Sequence, residues 1–134
     1  FSLEGKVRVD VQAHARSCYW AIAHPNKEGV VLSGGQDGEL TAHQGKEEIM
    51  RLAVHQSAVY RGLVQNEVLW TAGRDKEAKA WSLNNLESLG KLPLPHTRSI
   101  NALALGGTDN KLLGTGSDDR SIKLWAQKEG PADK

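Results

Sequence analysis

His14, His55 and His96 stand 41 residues apart, twice in succession, and each opens the same downstream pattern. A hydroxyl residue follows (Ser33, Thr71, Thr115), then an Asp four positions later (Asp37, Asp75, Asp119). Six positions beyond each Asp sits His43, Trp81 or Trp125. Self-similarity at a period of about 40–45 residues marks a chain built from one supersecondary unit used repeatedly. Such a unit cannot bury its apolar faces alone, so each copy must stack on the next. This constraint outranks any local reading of the segments in between.

Each period reads as four short antiparallel strands. The first predicts strands at Cys18–Ala23, Val30–Ser33, Glu39–Ala42 and Glu47–Val54, separated by turn-rich stretches such as Gly34-Gly35-Gln36-Asp37-Gly38. The second predicts Val59–Val64, Val68–Ala72, Ala78–Trp81 and Leu89–Leu94, and the third Ile100–Leu105, Leu112–Gly116 and Ile122–Trp125. β-like runs bounded by Gly, Pro, Asn and Asp at this spacing specify an all-β repeat fold. Four, seven and nine residues after each His stand Cys18, Ala21, Ala23; Val59, Gly62, Val64; and Ile100, Leu103, Leu105. All are small or apolar, as expected of an inner strand covered on both faces. A further strand, Lys6–Val11, precedes His14 and is expected to complete the last, three-stranded sheet, which would leave no open sheet edge. Residues 1–126 are thus read as the repeat segment and 127–134 as a polar, unstructured tail.

These residues resemble the WD-repeat β-propeller family from about residue 6 to residue 126. Leu112–Trp125 is a close fit to the family's strand–turn–strand signature, Leu69–Trp81 a good one, and Val31–His43 a degenerate one. The family's Gly before the His is here Ala13, Val54 or Pro95, and its Asp after the Trp is Ser82 or Ala126. The resemblance implies all-β blades, about three of them, each held by a buried hydrogen-bonded chain. It assigns that chain to His55, Thr71, Asp75 and Trp81, to His96, Thr115, Asp119 and Trp125, and in part to His14, Ser33 and Asp37. His43 stands where the first blade would have its Trp, which predicts a weaker network there. Rings have four to eight blades. Three therefore imply the C-terminal part of a larger ring, or a unit that closes a ring with another copy; the drift between the blades favours the former.

His, Ser/Thr and Asp together also invite a hydrolase reading. Catalysis needs one activated nucleophile in one cleft, whereas this trio recurs at a structural period, and no Gly-x-Ser-x-Gly elbow presents a nucleophile. The histidines lack metal-ligand spacing, a single cysteine excludes a cysteine-based site, and neither Gly pair leads into a phosphate loop. No catalytic residue, metal or cofactor is expected. Cys18 alone, no apolar run of membrane-span length and no signal-peptide pattern point to an intracellular chain, cytoplasmic or nuclear.

What remains is surface. The family's binding positions lie on its top face, three and five residues after the His and just before the Asp. The resemblance carries them to Ser17, Tyr19 and Gln36; Ala58, Tyr60 and Arg74; and Ser99, Asn101 and Asp118. Two tyrosines and an arginine are the residue types that dominate interfaces. The expected function is a non-catalytic protein-interaction scaffold in a multi-subunit assembly. Its partners are proteins, with further blades from the parent chain or another copy. A reader of short or modified peptides on the top face is one alternative. An RNA-binding propeller is the other, disfavoured by a formal charge of only +1.

Overall fold

The computed structural model describes residue 5 and residues 9–126. Among these, eleven strands form three antiparallel sheets in chain order. The first sheet is β1 (Cys18–Ala23), β2 (Val30–Gly35), β3 (Glu39–Gln44) and β4 (Glu47–Ala53). The second is β5 (Val59–Gln65), β6 (Val68–Gly73), β7 (Ala78–Ser82) and β8 (Ser88–Lys91). The third is β9 (Ile100–Gly106), β10 (Leu112–Ser117) and β11 (Ile122–Ala126). The fold is all-β and its sheets are blades of the expected kind. β8 ends at Lys91, short of the expected Leu94, because Pro93 has no N–H to donate to the ladder.

The sheets pack as a fan, with β1 against β5 and β5 against β9. Period-two alternation gives each sheet a forward and a backward face. Leu32, Leu40, Ala42 and Trp20 on the forward face of the first sheet meet Val59 and Leu69 of the second in one buried cluster. Ala72 and Ala78 of the second meet Ile100 of the third. The first junction is large-on-small: the Trp20 ring lies over Gly34 of its own sheet and Gly62 of β5, where a Cβ would overlap it. Its indole N–H is the one buried side-chain donor without a partner among the described residues, a cost outweighed by the area the ring removes from water.

The fan is open, not closed into a ring, and its outer faces register this. β11 carries Ile122 and Leu124 where β3 has Leu40 and Ala42 and β7 has Ala78 and Ala80. Those four are buried; Ile122 and Leu124 are 83% and 71% exposed. At the other end Val31, equivalent to the buried Leu69 and Leu113, is 42% exposed. The expectation that Cys18, Ala21 and Ala23 are covered on both faces fails for the same reason: all three are exposed, with no sheet behind the first.

The strand expected at Lys6–Val11 falls partly outside the described residues, which exclude 6–8. Val9–Val11 belong to no strand and run beside Cys18, Val31 and His43 on the back of the first sheet. The third sheet therefore has three strands. In an open fan its β11 edge lies at the opposite end from the segment entering His14, and only ring closure brings the two together. The expected tail at 127–134 also lies outside the described residues.

Because Gly62 is the floor under Trp20, Gly62→Ala should destabilise the chain by about 1–3 kcal/mol through overpacking. Denaturant unfolding in the wild-type and Trp20→Leu backgrounds checks this; the smaller side chain should remove most of the penalty.

Candidate functional site

Each blade is fastened by one imidazole. His55 Nδ1 lies 2.9 Å from the Asp75 carboxylate and its Nε2 lies 2.8 Å from Thr71 Oγ1. His96 makes the same pair with Asp119 (2.9 Å) and Thr115 (2.8 Å). His14 does so with Asp37 (3.1 Å) and Ser33 (2.9 Å). A carboxylate only accepts, so Nδ1 carries the proton and Nε2 accepts from the hydroxyl. The hydroxyl oxygen is then free to accept once more. Trp81 Nε1 donates to Thr71 at 2.9 Å, and Trp125 Nε1 donates to Thr115 at 3.1 Å.

In the first blade, where His43 replaces the Trp, Thr41 supplies the missing donor, 2.6 Å from Ser33 Oγ. Sequence reasoning missed Thr41. The signal was present: it is the β3 residue paired directly across from Ser33. The network of this blade is therefore complete by a different route.

The three carboxylates also collect main-chain donors. Asp75 accepts from the N–H of Gln56 and Glu77, Asp37 from Ala15 and Glu39, and Asp119 from Thr97 and Ser121. Each ties the loop before an inner strand to the turn between the second and third strands. Burial pushes Asp75 toward the neutral form, but His55 and the two amides outweigh it and hold its pKa below 3.8. Asp37 is lowered by the same balance, burial opposed by Glu39, His14 and Ala15. The Ser121 hydroxyl leads the groups that lower Asp119.

This wiring has the connectivity of a Ser–His–Asp triad without its accessibility. Ser33, Thr71 and Thr115 are buried, and each oxygen already bonds a second side chain as well as the imidazole. No acyl carbon can reach them, so these trios act as fasteners. His24 and His43 are likewise engaged: His24 Nε2 donates to the Leu83 carbonyl at 3.2 Å across the first junction, and His43 stands 3.9 Å from Glu48. Among the described residues no group of three or more His, Cys, Asp or Glu is placed to hold a metal ion. No helix among them is long and apolar enough to cross a membrane.

The surface positions come in bonded pairs at one end of the fan. The N–H of Gln36 donates to Ser17 O (2.8 Å), that of Arg74 to Ala58 O (2.9 Å), and that of Asp118 to Ser99 O (3.1 Å). The three blades thus present equivalent loop–turn pairs, set in place by their carboxylates. Tyr19 and Tyr60, at the same step of β1 and β5, stand with ring centroids 5.5 Å apart, tilted at 54°. Tyr19 is exposed and Tyr60 half-buried, while Ala58 is buried and offers no side chain outward. Asn101 donates to Asp118 at 2.6 Å. Arg74, Ser99 and Asp118 share a cleft of about 580 Å3 with Lys76, Thr97 and Arg98.

Lys76 is a rim residue that sequence reasoning passed over. It follows the turn Asp, where Gly38, Lys76 and Arg120 adopt φ of 79°, 73° and 73°. Only glycine is unstrained there. The side chain that this turn carries projects at the rim all the same. Trp20 and Trp70 are packing residues: the first lies at the first junction, and the indole N–H of the second donates to Gln65 Oε1 at 2.9 Å.

Asp75→Ala leaves an imidazole N–H and two amides without their acceptor. It should cost roughly 2–4 kcal/mol near neutral pH. Because the folded pKa of Asp75 is depressed, that stability exists above the carboxylate range and fades as pH falls below 3.8. The gap between wild type and variant in urea unfolding should therefore narrow on acidification through the carboxylate range.

The family model described as WD domain, G-beta repeat matches residues 87–126, which span β8 to β11. No curated protein matches the chain at a significant level. The last blade thus matches the WD-repeat family, and the same strand order and His–hydroxyl–Asp fastening recur in the blades before it.

Proposed function

We propose that this chain is a non-catalytic scaffold that holds a protein partner on the end of the fan where the loop–turn pairs converge. The observation that carries the reading is the placement of Tyr19, Tyr60 and Arg74 beside three carboxylate-fixed loop–turn pairs. Rigid aromatic and arginine side chains on a preordered frame lose little entropy on binding. WD repeats generally mediate protein–protein interaction, which agrees with this assignment. Tyr60→Ala with Arg74→Ala should leave the far-ultraviolet dichroism and melting temperature near wild type. The double variant should also lose members of the set of proteins that co-purify with the chain, quantified by mass spectrometry. An unchanged set on a folded variant overturns the assignment.

The repeat segment, residues 1–126, is proposed to work as part of a larger ring. Exposed Ile122, Leu124 and Val31, at positions buried at both internal junctions, support this. The seats at either end would take further blades, from the parent chain or from another copy. Sedimentation velocity of the isolated chain should show self-association that Leu124→Asp reduces. A monodisperse monomer with full β content counts against ring completion.

A further inference from the structure

The cleft between the second and third blades has the charge of a site for anions. Its lining is Arg74 and Lys76 from the β6–β7 turn, Thr97, Arg98 and Ser99 from the loop entering β9, and Asp118 from the β10–β11 turn. Three cations face one carboxylate. Among the described residues none of Arg74, Lys76 and Arg98 has an acidic group within ion-pair distance. The single carboxylate is engaged by the Asn101 amide at 2.6 Å. Arg51, which bridges Glu39 and Glu48, and Lys79 and Lys91, which share Glu77, are ion-paired elsewhere on the surface; what sets the cleft apart is that three unpaired cations line one depression.

The frame beneath these side chains is fixed. Arg74 N–H donates to Ala58 O, Lys76 N–H to Gly73 O, and Thr97 N–H to Asp119. The Ser99 hydroxyl reaches across to Arg74 O, and the Ser117 hydroxyl donates to Arg98 O. Unpaired cations exposed around an open depression of about 580 Å3, on an ordered floor, form a receptor in which arginine can pair a carboxylate through two N–H groups.

From this geometry we infer that the cleft takes an acidic segment of a partner polypeptide. The inference rests on the scaffold reading above and names the chemistry of its partner. Asp118 decides between polypeptide and nucleic acid. A carboxylate among the cations repels phosphates and side-chain carboxylates alike, but a polypeptide backbone offers it N–H donors that a sugar-phosphate backbone lacks. The cations also sit in one cleft rather than along a track, and the chain carries a formal charge of only +1.

The test uses the whole chain and fluorescence anisotropy with three labelled probes. They are a peptide of alternating Glu and Ala, its Gln-for-Glu counterpart, and a single-stranded oligouridylate. The Glu peptide should bind, weaken as salt screens the cleft, and lose about tenfold or more in affinity with Lys76→Ala and Arg98→Ala together. The Gln peptide should bind at least about tenfold more weakly than the Glu peptide. No binding of the Glu peptide, equal binding of the two peptides, tighter binding of the oligouridylate, or a folded double variant that binds like wild type would each overturn the inference. Neither substitution touches Tyr60. If the cleft fails this test while Tyr60→Ala still releases co-purifying proteins, the anion chemistry is wrong and the scaffold reading stands.

Discussion

Everything in this fold hangs on a carboxylate that ties the loop entering the first strand of a blade to the turn between its second and third strands. Asp37, Asp75 and Asp119 each bind an imidazole and two main-chain amides, and the imidazole in turn binds a hydroxyl one strand away. Every proton in the chain has one destination. Asp accepts, Nδ1–H donates, Nε2 accepts, and the hydroxyl takes a last donor from the third strand. A buried polar chain of this kind stabilises only when complete, because any gap leaves a desolvated group unpaired. The first blade shows how strict that requirement is. Its indole is gone, and the vacancy is taken by Thr41 rather than left open.

The same wiring links fold to surface. The carboxylate that closes a blade also fixes the turn before the third strand and the loop before the first, so loop–turn pairs recur at one end with the same main-chain bond. Position is therefore set by the buried chain, and chemistry is left to whatever side chain each blade puts there. Gln36, Arg74 and Asp118 occupy one structural position with three different charges. Gly38, Lys76 and Arg120 share the left-handed position of the same turn, with no side chain in the first blade and a cation in the other two. A constant frame bearing variable side chains suits recognition, and it explains why a cationic cleft arises between the second and third blades and not between the first and second.

The period of 41 and the quartet made the architecture legible, because each blade needs the same hydrogen-bonding residues at the same steps. Strand positions followed from alternation, and the match of the family model to residues 87–126 falls on the blade whose signature is least eroded. What alternation could not convey is which faces have neighbours. Cys18, Ala21 and Val31 carry the pattern of covered positions, yet they are uncovered, since side-chain type records the environment of a whole ring and not of three sheets. Thr41 and Lys76 were missed for another reason. One lies outside the repeated quartet, and the other occupies a turn position where glycine is the usual occupant. Both needed register, which spacing alone does not supply.

The Trp20 stack over Gly34 and Gly62 makes one junction unlike the next. The second junction relies on Ala72, Ala78 and Ile100, with Leu92 and Leu103 packed against them. Sheets that share a strand order have thereby lost interchangeability: a shuffled arrangement would set the Trp20 ring against Leu103, which stands at the step Gly62 occupies in the second sheet. The sequence of blades about the axis is consequently written into their seams, and recombination among the repeats would be penalised there even if every hinge and hairpin were preserved.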